Sequence, residues 1–278
     1  MQLEQFPGAR AGLSFVAALA VLYSLACGSG PQSSGETAST SQPPLHLYLL
    51  IGQSNMAGRG AVETTDSQPH PRVFALKSNG EWGPASEPLH WDKPERIGTG
   101  PGFAFGRAMA DRDPSVRIGL IPAAVGGSSI RAWLPGAVHE QTNSRPWDDM
   151  VSRTFRVLAQ EGGDLRGAIW HQGESDSGDY SDQYEAALVD LVQRLRKEFR
   201  KPNLPFVAAQ LAPYYTETHP GALKINEIVA RLPGLVPNTA YAAAQGLNHL
   251  GDGTHLDSAS AREIGKRCAE AMAKLDSN

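Results

Sequence analysis

From residue 45 onward the chain alternates short apolar runs of strand character with longer segments of helical spacing. That alternation narrows the fold more than any other feature. The strand-like runs lie at 46–51, 116–121, 167–170, 205–211 and 239–244. Between and after them, 101–111, 148–159, 182–199, 223–232 and 258–275 carry apolar residues at helical intervals. The segment 182–199 is the clearest, with Tyr184, Leu188, Leu191, Val192 and Leu195 on one face and charges on the other. Pro101 suits a first helical turn, and Pro233-Gly234 should end the helix before it. Strands joined through helices build a parallel sheet with helices on both faces, so the expected fold is α/β, a three-layer α/β/α sandwich. In such a sheet the loops after the strands gather at one edge, where ligands bind. Residues 59–100 break the alternation and are rich in Pro, Gly and Trp. Within them 72–76 and 81–82 read as a small hairpin around Asn79-Gly80. So long an irregular stretch suggests a functional loop region.

The 278 residues are 41% hydrophobic and 19% charged, which fits a globular protein able to bury a core without disulfides. The formal net charge is −4, and the basic residues are scattered apart from Arg194, Arg196, Lys197, Arg200 and Lys201 on one helix and its end. Nucleic acid is therefore excluded as a partner. Residues 1–27 read as a signal peptide: Arg10 precedes an apolar run over 11–26, which is short for a membrane span. Its end, Ser24-Leu25-Ala26-Cys27, resembles a bacterial lipoprotein signal, with Ser24 where an aliphatic residue is usual. Ordinary signal-peptidase cleavage is the second reading and a plain membrane anchor the third. Residues 28–44 form a Ser-, Gly- and Pro-rich flexible linker, leaving 45–278 as the folded domain. The expectation is an exported protein, a cell-envelope lipoprotein or a secreted one, touching membrane only through an N-terminal lipid anchor at Cys27. Cys268, in the last helical segment, reads as a small buried apolar residue.

The chemistry sits in the loops after the strands. Ser54 follows the first strand at once, behind Gly52. A serine hydroxyl is a weak nucleophile and needs a base, usually His oriented by a carboxylate. His255 stands three residues after Asp252 on a Gly-rich loop, a spacing that lets the carboxylate reach its ring. Acyl transfer also needs donors for a developing oxyanion. The Ser54 backbone N–H, the backbone N–H groups near Gly126 and Gly127, and the Gln172 side-chain amide are candidates. Glu174 is a rival to Asp252 as the orienting acid and could instead bond a sugar hydroxyl, whereas Asp176 reads as a loop brace. Arg131 and Trp133 follow the Gly126-Gly127 loop and would either line a sugar subsite or pack structurally. His171, His249 and His255 are metal-ligand types, but no pair has the spacing of a known zinc motif, so no metal site is expected.

Four ordered blocks carry a resemblance: Ile51-Gly52-Gln53-Ser54-Asn55-Met56-Ala57-Gly58, Gly126-Gly127-Ser128-Ser129-Ile130, Trp170-His171-Gln172-Gly173-Glu174-Ser175-Asp176 and Asp252-Gly253-Thr254-His255-Leu256. Together they resemble the SGNH hydrolase superfamily, and within it the sialate O-acetylesterase-like carbohydrate esterases, including acetylxylan esterases. The resemblance implies a flavodoxin-like fold with five central parallel strands. It implies Ser54 as nucleophile, His255 as base, Asp252 as orienting acid, and an oxyanion hole from Ser54, Gly127 and Gln172. Many SGNH hydrolases have Asn where Gln172 stands. The implied activity is cofactor-free hydrolysis of O-acetyl esters on carbohydrates through an acetyl-enzyme, with an acetylated carbohydrate as the partner. The rival readings are a non-catalytic carbohydrate-binding protein on the same fold and an acylhydrolase of another small ester.

Overall fold

The computed structural model describes residues 42–276. The signal-like segment, Cys27 and nearly all of the linker lie outside the described residues. Strand β1 (Leu45–Gly52) runs directly into a single helical turn, α1 (Ser54–Ala57). The insertion that follows contains α2 (Thr64–Ser67), β2 (Val73–Leu76) and β3 (Trp82–Pro84). Then come α3 (Pro101–Arg112), β4 (Arg117–Pro122), α4 (Pro146–Glu161) and β5 (Asp164–His171). The chain continues through α5 (Tyr184–Glu198), β6 (Phe206–Ala209), α6 (Pro213–Thr216) and α7 (Pro220–Leu235). It closes with β7 (Thr239–Ala242) and α8 (Ser258–Asp276).

The strands form one sheet in the order β3-β2-β4-β1-β5-β6-β7. Every adjacent pair is parallel except β2 with β3. The five anticipated strands are the run from β4 to β7, in flavodoxin-like order. The sheet is nevertheless seven-stranded, because the expected hairpin does not stand apart. Its first strand pairs with β4, Val73 opposite Ile118 and Ala75 opposite Leu120. The hairpin thereby covers an edge that would otherwise present unpaired backbone groups.

β1 is buried on both faces, as a central parallel strand requires. Leu47, Leu49 and Ile51 pack into the core with Met150 of α4, Leu188 and Leu191 of α5, and Ile225 and Ile228 of α7. Tyr48 and Leu50, on the alternate face, pack with Phe105 and Met109 of α3 and with Ile264, Cys268 and Met272 of α8. Cys268 is thus a buried apolar filler, its thiol pushed up to about 12 by burial.

Pro233 does not end its helix. α7 runs from Pro220 to Leu235, and the Val236 N–H still reaches the Leu232 carbonyl. A proline in the last turn removes only its own N–H, and buried Val229, Leu232 and Val236 hold the turn against the core. Among the described residues no helix is long and apolar enough to cross a membrane.

The strand order places β1 between β4 on one side and β5 on the other. Connections leave in opposite directions there, and the crevice outside the carboxyl ends of β1 and β5 is where a ligand fits an open α/β sheet. Ser54 lies just past the end of β1, and Gln172 just past β5.

Candidate active site

β1 ends at Gly52 with φ of +133°. A side chain there would put a Cβ 2.2 Å from the His171 carbonyl oxygen, so only glycine lets the chain turn this close to β5. The turn is held by the Gln53 N–H donating to the same carbonyl at 3.0 Å. It delivers Ser54, 7% exposed, to the floor of a cavity of about 510 Å³.

Ser54 Oγ lies 3.0 Å from Nε2 of His255. Nδ1 of His255 lies 2.6 Å from Oδ2 of Asp252. The other carboxylate oxygen, Oδ1, accepts the backbone N–H groups of Thr254 at 2.9 Å and His255 at 2.8 Å. Partial burial pushes the Asp252 carboxyl upward, but these hydrogen bonds from His255 and Thr254 outweigh it and hold the group at about 2. Asp252 is therefore ionised at neutral pH. The loop that carries it is shaped by His249, whose Nδ1 accepts the N–H groups of Gly251 and Gly253, each at 3.0 Å. Gly253, at φ of +72°, occupies the left-handed region that a side chain would strain.

Asn55 ties this loop to the serine turn. Its Nδ2 donates to the Thr254 carbonyl at 3.1 Å and to Oε1 of Glu174 at 2.5 Å, and its Oδ1 accepts the Leu256 N–H at 2.9 Å. Glu174 therefore bonds Asn55, and the carboxylate at His255 is Asp252. Burial pushes Glu174 up to about 7, and among the described residues its Oε2 has no partner. Glu174 nevertheless borders the cavity.

The Ser54 and Gly127 residues both line the cavity, and neither N–H donates to an acceptor among the described residues. The Gly126 N–H is committed to Oδ2 of Asp92 at 2.7 Å. Asp92 is ion-paired with Arg59 at 2.8 Å, and although burial opposes it, the Arg59 guanidinium holds this carboxylate below its usual range. Arg59 and Asp92 are the functional residues that motif reading missed. Arg59 directly follows the first block, and Asp92 stands two residues beyond His90.

Two expected roles fail on geometry. Gln172 is 0% exposed, does not border the cavity, and commits its amide nitrogen to Gln53 Oε1 (3.0 Å), the Ser128 carbonyl (3.2 Å) and Asp176 Oδ2 (2.6 Å). Its own oxygen accepts the Tyr184 hydroxyl at 2.9 Å. Two amide hydrogens facing three internal acceptors leave none for an oxyanion. Trp133 is likewise 0% exposed, set edge-on to Trp170 with its N–H on Ser128, so it offers no face for a sugar to stack on. Arg131 is exposed but lies over the Tyr180 ring and does not border the cavity. Asp176 is the brace expected of it, accepting the Ile130 N–H at 2.7 Å beside Gln172.

The 59–100 insertion does reach the site, contributing Arg59, Lys93 and Arg96 to the cavity wall. Among the described residues, no group of three or more His, Cys, Asp and Glu side chains is placed to hold a metal ion. His171 is buried, and burial holds it neutral by pushing it down to about 4.

A family model described as carbohydrate esterase, sialic acid-specific acetylesterase, matches residues 44–274. The chain belongs to this carbohydrate esterase family. A probable carbohydrate esterase of Arabidopsis thaliana is 31% identical over 250 residues, covering 82% of this chain and 90% of the plant protein. The X-ray structure of the Arabidopsis protein superimposes with a TM-score of 0.71 at 30% identity, over 84% of this chain and 99% of that one. The crystal structure of NanS shares the fold, with a TM-score of 0.67 at 19% identity over 85% of this chain and 99% of its own. The carbohydrate esterase fold and the Ser54 cavity thus occur together in one chain, with the cavity at the sheet edge where such a fold binds ligands.

Proposed function

We propose that this esterase hydrolyses O-acetyl esters on carbohydrates, with Ser54 as the nucleophile. The observation that carries the reading is the unbroken chain of hydrogen bonds from Asp252 through His255 to Ser54. As Oγ of Ser54 bonds the acetyl carbon, its proton passes to Nε2 of His255 and the carbonyl electron pair moves onto oxygen. The ionised Asp252 keeps the proton on Nδ1 and stabilises the imidazolium that forms. The backbone N–H groups of Ser54 and Gly127 are free to receive the oxyanion. Collapse breaks the bond to the sugar oxygen, which takes the proton from His255. Water then adds to the acetyl-enzyme by the same route, releasing acetate and restoring the serine.

Arg59, Lys93 and Arg96 form part of the cavity wall, and these three basic side chains support a carbohydrate alcohol over a long acyl chain. The test is Ser54→Ala, assayed with p-nitrophenyl acetate and with acetylated glycans. Acetate release should fall by at least ~10⁴-fold while the melting temperature stays near that of the wild type. A folded Ser54→Ala protein that still releases acetate would overturn the assignment.

A further inference from the structure

Gly126 and Gly127 are the middle of a four-residue turn from Val125 to Ser128. The Ser128 N–H closes it, donating to the Val125 carbonyl at 3.2 Å. Gly127 is at φ of +81°, whereas Gly126 is not in the positive region. That combination is a type II turn, with glycine at the position that demands it. Types II and I differ mainly by a half rotation of the central peptide, which here joins Gly126 to Gly127. With no side chain on either residue, both forms are open to the backbone. The choice matters because N–H and C=O point opposite ways on a trans peptide. One form presents the Gly127 N–H to the cavity, and the other presents the Gly126 carbonyl, which would repel an oxyanion.

The neighbouring peptides are held from several sides. The Val125 N–H donates to the Gly52 carbonyl at 3.0 Å, the Gly126 N–H to Oδ2 of Asp92 at 2.7 Å, and Ser175 Oγ to the Gly127 carbonyl at 3.1 Å. None of these bonds involves the central peptide itself. Among the described residues its partner is His139, whose Nε2 lies 3.2 Å from the Gly126 carbonyl oxygen. A carbonyl only accepts, so Nε2 carries the proton. His139 is 8% exposed and does not border the cavity that Gly127 borders, so it grips the carbonyl from behind. Its own backbone is bridged to Ser144 in both directions, at 2.8 and 3.3 Å.

We propose that His139 is a positioning residue: by donating to the Gly126 carbonyl it keeps this turn in the type II form and so aims the Gly127 N–H at the oxyanion. The inference rests on Ser54 being the nucleophile. His139 touches no reacting atom and acts through one peptide. A donor fixed in this way before substrate arrives needs no reorganisation as charge develops on the carbonyl oxygen.

Two variants separate aiming from packing. His139→Gln keeps an N–H within reach of the carbonyl, and His139→Leu fills the space without a donor. Aiming predicts that His139→Leu loses kcat for p-nitrophenyl acetate by ~10²-fold with KM changed far less, and that labelling by a fluorophosphonate slows in parallel. His139→Gln should recover kcat to within about 5-fold of the wild type, whatever its melting temperature. Packing alone predicts that activity and melting temperature fall together in both variants. Should His139→Leu not fold, His139→Phe carries the same expectation. A folded donor-less variant with wild-type kcat, a loss confined to KM, or a His139→Gln protein as impaired as His139→Leu overturns the proposal. Ser54→Ala, run alongside, keeps the two readings distinct. If it abolishes labelling while folded His139→Leu labels at the wild-type rate, the nucleophile stands and the positioning role falls. If Ser54→Ala labels and hydrolyses like the wild type, both fall.

Discussion

Two loops at the same sheet edge use the same residue types in opposite ways. The loop after β5 carries Glu174 and Asp176, and the loop after β7 carries Asp252. Asp176 is 1% exposed, whereas the Asp252 side chain is 39% exposed. Asp252 gathers two backbone N–H groups and an imidazole, which hold it at about 2. Glu174 is buried, and burial pushes it to about 7 against hydrogen bonds from Asn55 and from the Glu174 and Gly173 backbone. Position at the sheet edge therefore does not decide which acid serves a histidine. The balance between the donors facing each carboxylate and its desolvation does. The β7 loop presents its groups to the cavity, while much of the β5 loop's polarity is spent in holding other loops still.

Asp252→Asn is the strongest way to break this contrast. The amide would disturb the tautomer of His255 and remove the charge that stabilises the imidazolium, while still accepting backbone N–H groups. Loss of kcat on the order of 10³-fold is expected, with little change in melting temperature. If Asp252→Asn were silent and Glu174→Gln were crippled, the two loops would have exchanged roles.

Asp176→Ala probes the other side. It would orphan the Ile130 N–H and one of the hydrogen bonds of Gln172, both buried. Stability should fall by roughly 2–4 kcal/mol, read from urea denaturation, with a smaller loss of activity than in Asp252→Asn. An Asp176→Ala protein as stable as the wild type would show that this loop braces nothing.

The contrast between the loops also marks what a sequence can disclose. The five central strands and their helices were legible because their apolar periodicity is local, as with Tyr184, Leu188 and Leu191. Ser54, Asp252 and His255 were legible through short motifs at strand ends. The pairing of β2 with β4 was not, because it joins residues far apart in sequence, Val73 with Ile118, and leaves no periodic mark. Pro233 misled because a local rule yielded to packing by Val229 and Leu232. Gln53 and Gln172 lie at the ends of two adjacent strands and look alike in sequence. Only Asp176, Tyr184 and Ser175, brought in by the fold, decide which amide is consumed and which borders the cavity. The Arg59–Asp92 pair, which holds Gly126, was hidden for the same reason.

Glu174→Gln sharpens the comparison with the smallest expected effect. Burial raises Glu174 from an ordinary 4.5 to about 7, so the folded protein holds its proton more tightly than the unfolded chain does. Between these values the native state binds more protons, and its contribution to stability declines as pH rises from about 4.5 to 7, then stays at its lower value. Glutamine keeps an oxygen for Asn55 and cannot ionise. The variant should therefore match the wild type near pH 4 and gain on it through this window, a difference on the order of 5 °C in Tm by pH 8. Asp252 has the opposite sign: its depressed value adds stability that is present above an ordinary 3.8 and is lost as pH falls toward 2. Thermal melts of wild type and Glu174→Gln across pH 3 to 8 would separate the two carboxylates, because only the wild type's decline above pH 4.5 should vanish in the variant. A wild-type curve that stays parallel to that of Glu174→Gln throughout would mean that Glu174 is ionised like an ordinary surface acid, and the distinction between the two loops would have to rest on hydrogen bonding alone.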